Sequence, residues 1–502
     1  MSIVEDGYFF GEDIMETYTL DQIKAYEGTY QIVPLCRTIY ADIRTPVEVL
    51  RIVKAVSSHC YLLESMEDAK GWGRYTFIGY DPQMGLYCKD GVVHIKTGTE
   101  VTFTSDHPQE YISQILHDNK APKIAGMPPF TGGLVGYFAY DFIKYAEPTL
   151  HLQATDDDGF YDFDLMLFDK VIVFDHLEQK IHLIVNVRLD SATENYNRAI
   201  MTLDMMEQLL RTGKKAEPEP LHIKGKFKPL FSKEAYCHVV ERAKEYIREG
   251  DIFQVVLANR HMAEADGSLL DTYRILRTVN PSPYMFFFSG DQVELAGSSP
   301  ETLTRLTNGE LFTFPLAGSR RRGATEEEDL ALEQDLLHNT KELAEHNMLV
   351  DLGRNDLGRI SKIGTVHVEK YLDVLRFSHI MHLGSTVHSQ IADDKDAIDA
   401  IASVLPAGTL SGAPKIRACE IIDELEGYKR GVYGGAIGYI DFTGNMDCCI
   451  GIRLAYKKGN HVYVCSGAGI VADSVPEQEY EECMNKAKAV MIALKQADGG
   501  IR

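Results

Sequence analysis

Two stretches of the chain carry carboxylates at spacings that let them act together. In TKELAEHNMLV, Glu342 and Glu345 stand three residues apart, which on a helix brings their Cβ atoms within about 5 to 6 Å. Glu345 is followed at three, four and seven residues by Met348, Leu349 and Leu352, so it shares an apolar stripe. An ionised carboxylate there is costly unless it is paired, hydrogen-bonded or bound to a metal. In SVPEQEYEECMNKAKAV, Glu479, Glu482 and Lys486 share a face beside the apolar arc of Tyr480, Cys483, Ala487, Val490 and Leu494. On spacing alone that face also reads as a solvated surface with a Glu-to-Lys pair. If the two helices face each other, four carboxylates surround a small volume. An all-oxygen set suits a hard cation such as Mg2+ rather than zinc, and Mg2+ seldom takes a full protein cage, so an acidic substrate is expected to share it.

The elements that must position these groups are legible in outline. Thr325 and Glu328 have capping-box spacing, which predicts one helix from Thr325 to a stop at Gly353. Its Leu343, Met348, Leu349, Val350 and Leu352 point in nearly all directions, as in a helix buried on every side. A second helix is expected from Ser474, with Glu477 completing another capping box and Pro476 in the first turn. Earlier, VVHIKTG and VTFTS read as a hairpin, and LMLFDKVIVFDHLEQKIHLIVNVRL as two or three adjacent strands. ATENYNRAIMTLDMMEQLLRTG reads as a helix, and KEAYCHVVERAKEYIREGDIFQVVLANR as a helix stopped at Gly250, then a strand. The segment rich in Lys, Pro and Gly between them marks a boundary. The expected organisation is an N-terminal domain over 1–215, a linker over 216–232 and a C-terminal domain over 233–497. Strands and helices mix without regular βα alternation, so the fold class is α+β.

Composition narrows the function classes. The chain has 502 residues, 45% hydrophobic and 25% charged, with a formal net charge of -23. That acidity argues against nucleic acid or an anionic membrane as partner, since both need clustered Lys and Arg. No run approaches the ~18 apolar residues of a membrane span, and the N-terminal stretch lacks the basic and apolar regions of a signal peptide. Nine cysteines are scattered with no CxxC pair, so neither a zinc site nor a disulfide framework is expected. Reduced thiols in a cytoplasmic protein are the reading.

Other motifs are weaker. CSGAGIVAD carries Gly467, Gly469 and Ala472 after a strand-like run, a partial match to a dinucleotide fingerprint that lacks the following helix and ribose-binding acid. An NAD-binding oxidoreductase would rest on it alone; the same backbone N–H groups serve equally to hold a carboxylate. GTLSGAPKIRACEIIDELEG is a turn feeding a helix rather than a phosphate loop. PLAGSRRRG reads as a solvated loop or an anion clamp, and His379 and His382 in SHIMH as structural histidines or as general acid and base.

Taken together, LLES with GRYTFIG, GGLVGYFAYD, GDIFQVVLANR, NPSPYMF, GSSPE, PLAGSRRRG, KELAEHNMLVDLGRNDLGR, SHIMH, PAGTLSGAPKIRACEIIDELE, RGVYGGAIGY, CCIGIR and GAGIVADSVPEQEYEE, spread over roughly residues 60 to 490, resemble the chorismate-utilising enzymes, and among them the anthranilate synthase component I family. The resemblance implies an α+β fold with a large β-sandwich-like core flanked by helices. It implies Mg2+ on Glu345 and Glu482, with Glu342 and Glu479 close behind through water. Chorismate carboxylates would meet Tyr433, Arg453, Lys486 and the backbone of Gly467, Ala468 and Gly469, with Gly318, Ser319 and Thr409 lining the pocket. Glu301 would be the acid for amination at C2 with loss of the C4 hydroxyl, and His382 a proton-transfer residue for loss of pyruvate.

Two positions separate relatives by the same resemblance. Where isochorismate and salicylate synthases carry a water-activating lysine, this chain has Gln254, which cannot act as that base. Where aminodeoxychorismate synthase component I usually has a lysine, it has Ala317. Anthranilate is the implied product, with 4-amino-4-deoxychorismate and a non-catalytic tryptophan-binding regulator as rival readings. No GxCxGxQ-like glutaminase segment surrounds any cysteine, so a glutamine amidotransferase subunit is implied as ammonia source and the assembly as a hetero-oligomer. Ser65, Pro283, Tyr284 and Met285 would form a tryptophan effector site, although Asn-Pro and Ser-Pro dipeptides also mark plain turns. SRRRG and LANR depart from the commoner Thr-Arg-Pro-Arg-Gly and Leu-Ser-Gln-Arg.

Overall fold

A computed structural model describes residues 18–66, 72–376 and 380–501; His379 lies outside them. Two antiparallel sheets of twelve strands each form the frame. In the first, Cys60–Glu64 joins the strands of the N-terminal half to those of the C-terminal half by pairing with Tyr284–Ser289. In the second, Gly133–Phe138 does the same with Ala436–Asp441. Both sheets therefore cross the expected domain boundary. The proposed linker is itself structured, since His222–Pro229 is a bulged edge strand on Gln254–Asp266. Its Lys, Pro and Gly suit a sheet edge, where unpaired backbone and charge face solvent.

The sheets pack on each other through Tyr61, Phe77 and Phe286 of the first and Leu134, Phe163 and Ile437 of the second. Helices cover the other face of the first sheet: Leu50 of Pro46–Val56, Leu203 of Ala192–Thr212 and Val490 of the C-terminal helix Pro476–Ala497 join Leu183 and Phe287. Covered on both faces, the strand Lys180–Arg188 is buried at seven consecutive positions instead of alternating. Each such buried Leu or Phe contributes about 1.5–3 kcal/mol relative to exposure. The chain changes sheets at tight joints. Asp169 separates Phe163–Phe168 of the second sheet from Lys170–Asp175 of the first, so these are not all adjacent strands. Pro300 and Glu301 separate Val293–Ser299 of the first from Thr302–Thr307 of the second.

Several local expectations hold. Val92–Thr97 and Thr99–Thr104 form the hairpin, and helix Lys233–Glu249 stops at Gly250 with φ +87°, a left-handed cap natural to glycine. Three are corrected. The helix expected from Thr325 is two helices, Glu326–His338 and Thr340–Gly358, hinged at Asn339. Asn339 donates its backbone N–H to Leu336 and accepts from the N–H of Lys341 and Glu342 at 3.1 Å, the capping role that suits its short amide. The second of these helices is buried on one side only and runs through Gly353. The C-terminal helix begins at Pro476 without a side-chain cap; the Ser474 hydroxyl accepts from Val471 instead. Among the described residues no helix is long and apolar enough to cross a membrane, and all nine cysteines are free thiols.

Candidate active site

Lys486 is the hub of the polar cluster. It projects from the C-terminal helix, donates to the Gly467 carbonyl at 3.1 Å and pairs with Glu482 one turn back at 2.8 Å. Its own carbonyl accepts from Arg453 at 2.8 Å, and its charge reaches Glu301, Glu345 and Glu479. Gly467 and Gly469 lie on the strand His461–Ile470, where a Cβ on Gly467 would sit 3.1 Å from the Tyr433 hydroxyl and one on Gly469 would sit 2.8 Å from Gln254 Nε2. Ala468 between them points the other way, into an apolar cluster under helix Lys233–Glu249, so only its backbone faces the site. The side-chain amide oxygen of Gln254, Oε1, is buried without a hydrogen-bond partner.

Glu301 stands at the joint between the sheets, its carbonyl accepting from Ile450 at 3.0 Å. Its carboxyl receives the Thr409 hydroxyl at 2.9 Å. Burial pushes that carboxyl up to about 7, with Thr409 and Lys486 opposing, so near neutrality it is poised between its protonated and ionised forms. His382 pairs in register with Ser319 and donates Nδ1–H to the Gly318 carbonyl at 2.9 Å. That assignment leaves Nε2 as the basic nitrogen, and burial holds the ring below its usual range. Gly318 has φ +66°, and a Cβ there would approach Glu342 Oε2 to 3.2 Å; glycine lets the strand come this close to the acidic helix. Burial lowers the Arg453 guanidinium from its usual value.

The two acidic helices do face each other. Burial raises the Glu345 carboxyl, Glu342 and Glu482 raise it further, and Lys341 and Lys486 oppose them. Burial likewise raises Glu479, with the Ser474 hydroxyl lowering it and Glu482 adding to the rise. Glu345 and Glu479, each within electrostatic reach of another carboxylate, resist ionisation, which favours added positive charge between them. Among the described residues no three His, Cys, Asp or Glu side chains close into a metal-holding group. Mg2+ takes only one or two carboxylates and completes its shell with water and substrate oxygens, so Glu345 and Glu482 fit as its protein donors.

The arginines of PLAGSRRRG lie on and just after a strand, Leu316–Arg321, rather than in a loop. Arg320 bonds Asp335 at 2.6 Å and Glu342 at 3.1 Å, Arg321 pairs with Glu328, and Arg322 bonds Asp329 at 2.8 Å. The unusual Arg321 is thus one of three ties to helix Glu326–His338. Sequence reasoning missed Arg320 and Lys341 as balancing cations; the acidic run that follows the three arginines was the available signal.

Ser65, Pro283, Tyr284 and Met285 line one cavity of about 670 Å3 at the seam between the chain halves. Phe77, Phe286 and Tyr439 supply aromatic wall, and Arg305 and Asp447 supply charge of both signs. Tyr284 donates its hydroxyl to Asp447 at 2.7 Å and lies 3.0 Å from the Thr302 hydroxyl.

A family model described as chorismate binding enzyme matches residues 59–492. A relative from Acetivibrio thermocellus named anthranilate synthase component 1 is 46% identical over 497 residues, covering 96% of this chain and 99% of its own. Another of that name from Acinetobacter calcoaceticus is 45% identical, covering 94% and 97%. The crystal structure of anthranilate synthase component I from Streptococcus pneumoniae TIGR4 superposes with a TM-score of 0.72 at 36% identity, covering 90% of this chain and 98% of that one. The menaquinone-specific isochorismate synthase of Escherichia coli shares the fold, with a TM-score of 0.66 at 19% identity over 94% of this chain and 98% of its own. The chain belongs to the chorismate binding enzyme family.

Proposed function

We propose that this family member is the component I subunit of an anthranilate synthase, a Mg2+-dependent lyase that turns chorismate and ammonia into anthranilate and pyruvate, the first committed step of tryptophan biosynthesis. The observation that carries the reading is Lys486, whose charge reaches both Glu301, an acid poised near neutrality, and the carboxylates Glu345, Glu479 and Glu482.

The residues divide the chemistry as follows. Arg453, Lys486 and the backbone around Gly467 and Gly469 receive the substrate's carboxylates, with the Tyr433 hydroxyl beside them. Glu301, oriented by Thr409, gives its proton to the C4 hydroxyl so that it leaves as water while ammonia bonds at C2. His382 Nε2 then takes the proton at C2 and the enol side chain departs as pyruvate, leaving the aromatic ring. Mg2+, held by Glu345 and Glu482 with Glu342 and Glu479 behind them, supplies Lewis-acid stabilisation of charge on the ring carboxylate. Gln254 has no base to offer water, which favours ammonia as nucleophile.

The ammonia comes from a glutamine amidotransferase subunit. Burial raises all nine cysteine thiols above their usual range, the reverse of an activated glutaminase nucleophile. Tryptophan is the proposed effector in the cavity at the seam, where aromatic walls suit an indole and Arg305 and Asp447 suit its two charges. Thr302, which Tyr284 touches, follows the acid Glu301 directly, so an occupant there is one residue from the strand that carries the acid. The test is chorismate, Mg2+ and high ammonium at alkaline pH with the purified chain alone. Anthranilate fluorescence with equimolar pyruvate is expected; accumulation of 4-amino-4-deoxychorismate would overturn the reading.

A further inference from the structure

Glu301 also borders a second, much smaller space. A cavity of about 40 Å3 lies between Glu301, Thr313, Gly353, Asp356 and Thr409, and neither Lys486, Arg453 nor His382 lines it. One water needs some 10–15 Å3 and two or more polar partners; this chamber is lined by the carboxyl-bearing Glu301 and Asp356 and by Thr302, Thr313 and Thr409.

Its far wall holds an ion pair that the reaction as described does not use. Asp356, 4% exposed, accepts from Lys415 Nζ at 2.8 Å, and the same ammonium donates to the Val404 carbonyl at 2.9 Å. Arg359 adds its charge nearby. A buried ion pair is weak as a source of stability, so its presence calls for another role. Gly353 is equally out of place, because glycine inside a helix costs about 1 kcal/mol relative to alanine. It lies three residues before Asp356, on the same helix face, and a Cβ there would stand 3.0 Å from Thr313 Cγ2 and 3.6 Å from Pro315 Cγ. An added methyl would press on Thr313 and Pro315, both of which line the chamber.

We infer that this chamber returns the proton to Glu301 after each turnover, with Asp356 and Lys415 as its link to solvent. The inference rests on Glu301 being the acid of the amination step. When the C4–O bond breaks, the Glu301 proton leaves with the hydroxyl as water. The Lys415 ammonium passes a proton to the Asp356 carboxylate it pairs with, Asp356 passes it to a chamber water, that water gives a proton to the Glu301 carboxylate, and a solvent proton restores Lys415. One solvent proton enters and one water leaves, and the charge is balanced when the ammonium group formed at C2 sheds a proton on the way to the aromatic amine. Asp356 is a positioning residue here, since it acts through Glu301 and touches no substrate.

Gly353→Ala tests the inference by crowding the chamber wall without touching a charged group. Its kcat should fall about tenfold, less than the roughly 10²–10⁴-fold that a general acid itself contributes, with KM for chorismate within twofold of wild type and a larger solvent deuterium effect on kcat. Asp356→Asn should show the same pattern. If Gly353→Ala does not fold, Thr313→Val, which removes a chamber hydroxyl at nearly constant shape, should show it instead. Unchanged kcat and isotope effect in a folded Gly353→Ala would overturn the relay alone, as would a KM rise in step with the kcat loss, the mark of mere structural support. A wild-type chain that makes no anthranilate would overturn the reaction and the relay together.

Discussion

The cavity at the seam and the cluster around Lys486 are built on opposite principles. The first is a hole of about 670 Å3 held open by strands of both sheets, with aromatic walls and the charged residues Glu64, Arg74, Arg305, Glu310 and Asp447 around it. The second is a meeting of helix faces and strand ends whose charges satisfy one another: Glu482 with Lys486, Glu342 with Arg320. A binding site that must report a ligand without transforming it needs shape that persists. A site that must stabilise changing charge needs groups held in tension, and the raised carboxyls of Glu345 and Glu479 show that tension.

The strongest challenge to the contrast is Glu345→Gln. It removes a presumptive cation donor together with a like-charge repulsion, so Mg2+-dependent turnover should vanish while thermal unfolding stays cooperative at an unchanged or higher Tm. A parallel fall in Tm would make Glu345 structural. Glu301→Gln comes next, with a loss of roughly 10²–10⁴-fold in kcat. It carries a pH signature as well. A carboxyl raised to about 7 by burial binds its proton more tightly in the folded state, so its contribution to stability is full below its ordinary range near 4.5 and is lost as pH rises through about 7. The stability of wild type should therefore fall across that window and that of Glu301→Gln should fall less, as read by urea titration at several pH values.

Changes in the seam cavity should spare the chemistry. Ser65→Arg fills it with a charged side chain, and tryptophan should then inhibit at least about tenfold less well, with kcat within twofold; inhibition as strong as wild type's would remove Ser65 from the site. The smallest effect belongs to Tyr284→Phe, which strips one hydrogen bond from the half-buried Asp447 and should cost about 1 kcal/mol in unfolding free energy.

How much of this was legible differed between the two regions. Glu345 on an apolar stripe and the Glu479, Glu482, Lys486 face were visible from helical spacing, and the helices do oppose each other. The hinge at Asn339 was not, because a helical pattern runs on either side and only the capping geometry shows that Asn339 serves both helices. Gly353 reads as a stop by propensity, yet close packing against Thr313 keeps it inside the helix. Lys-, Pro- and Gly-rich composition marks an edge strand as readily as a linker, which is how His222–Pro229 was misread. No local pattern reveals the seam cavity, since Ser65 and Tyr284 meet only through the pairing of distant strands; resemblance alone brought them together.

That pairing bears on how the chain is made. Phe138 pairs with Phe163 on one edge and waits for Ala436 on the other, as Glu64 pairs with Thr76 and waits for Met285. At roughly 5–20 residues per second of synthesis, Gly133–Phe138 emerges tens of seconds before Ala436–Asp441 exists. Over that interval the N-terminal half exposes two apolar strand edges with nothing to pair with, the condition that invites misassociation. A protein stitched across its own length is thus one whose first half cannot finish folding on the ribosome, and its yield in the cell should depend on holdase chaperones more than that of a chain of equal size with separable domains.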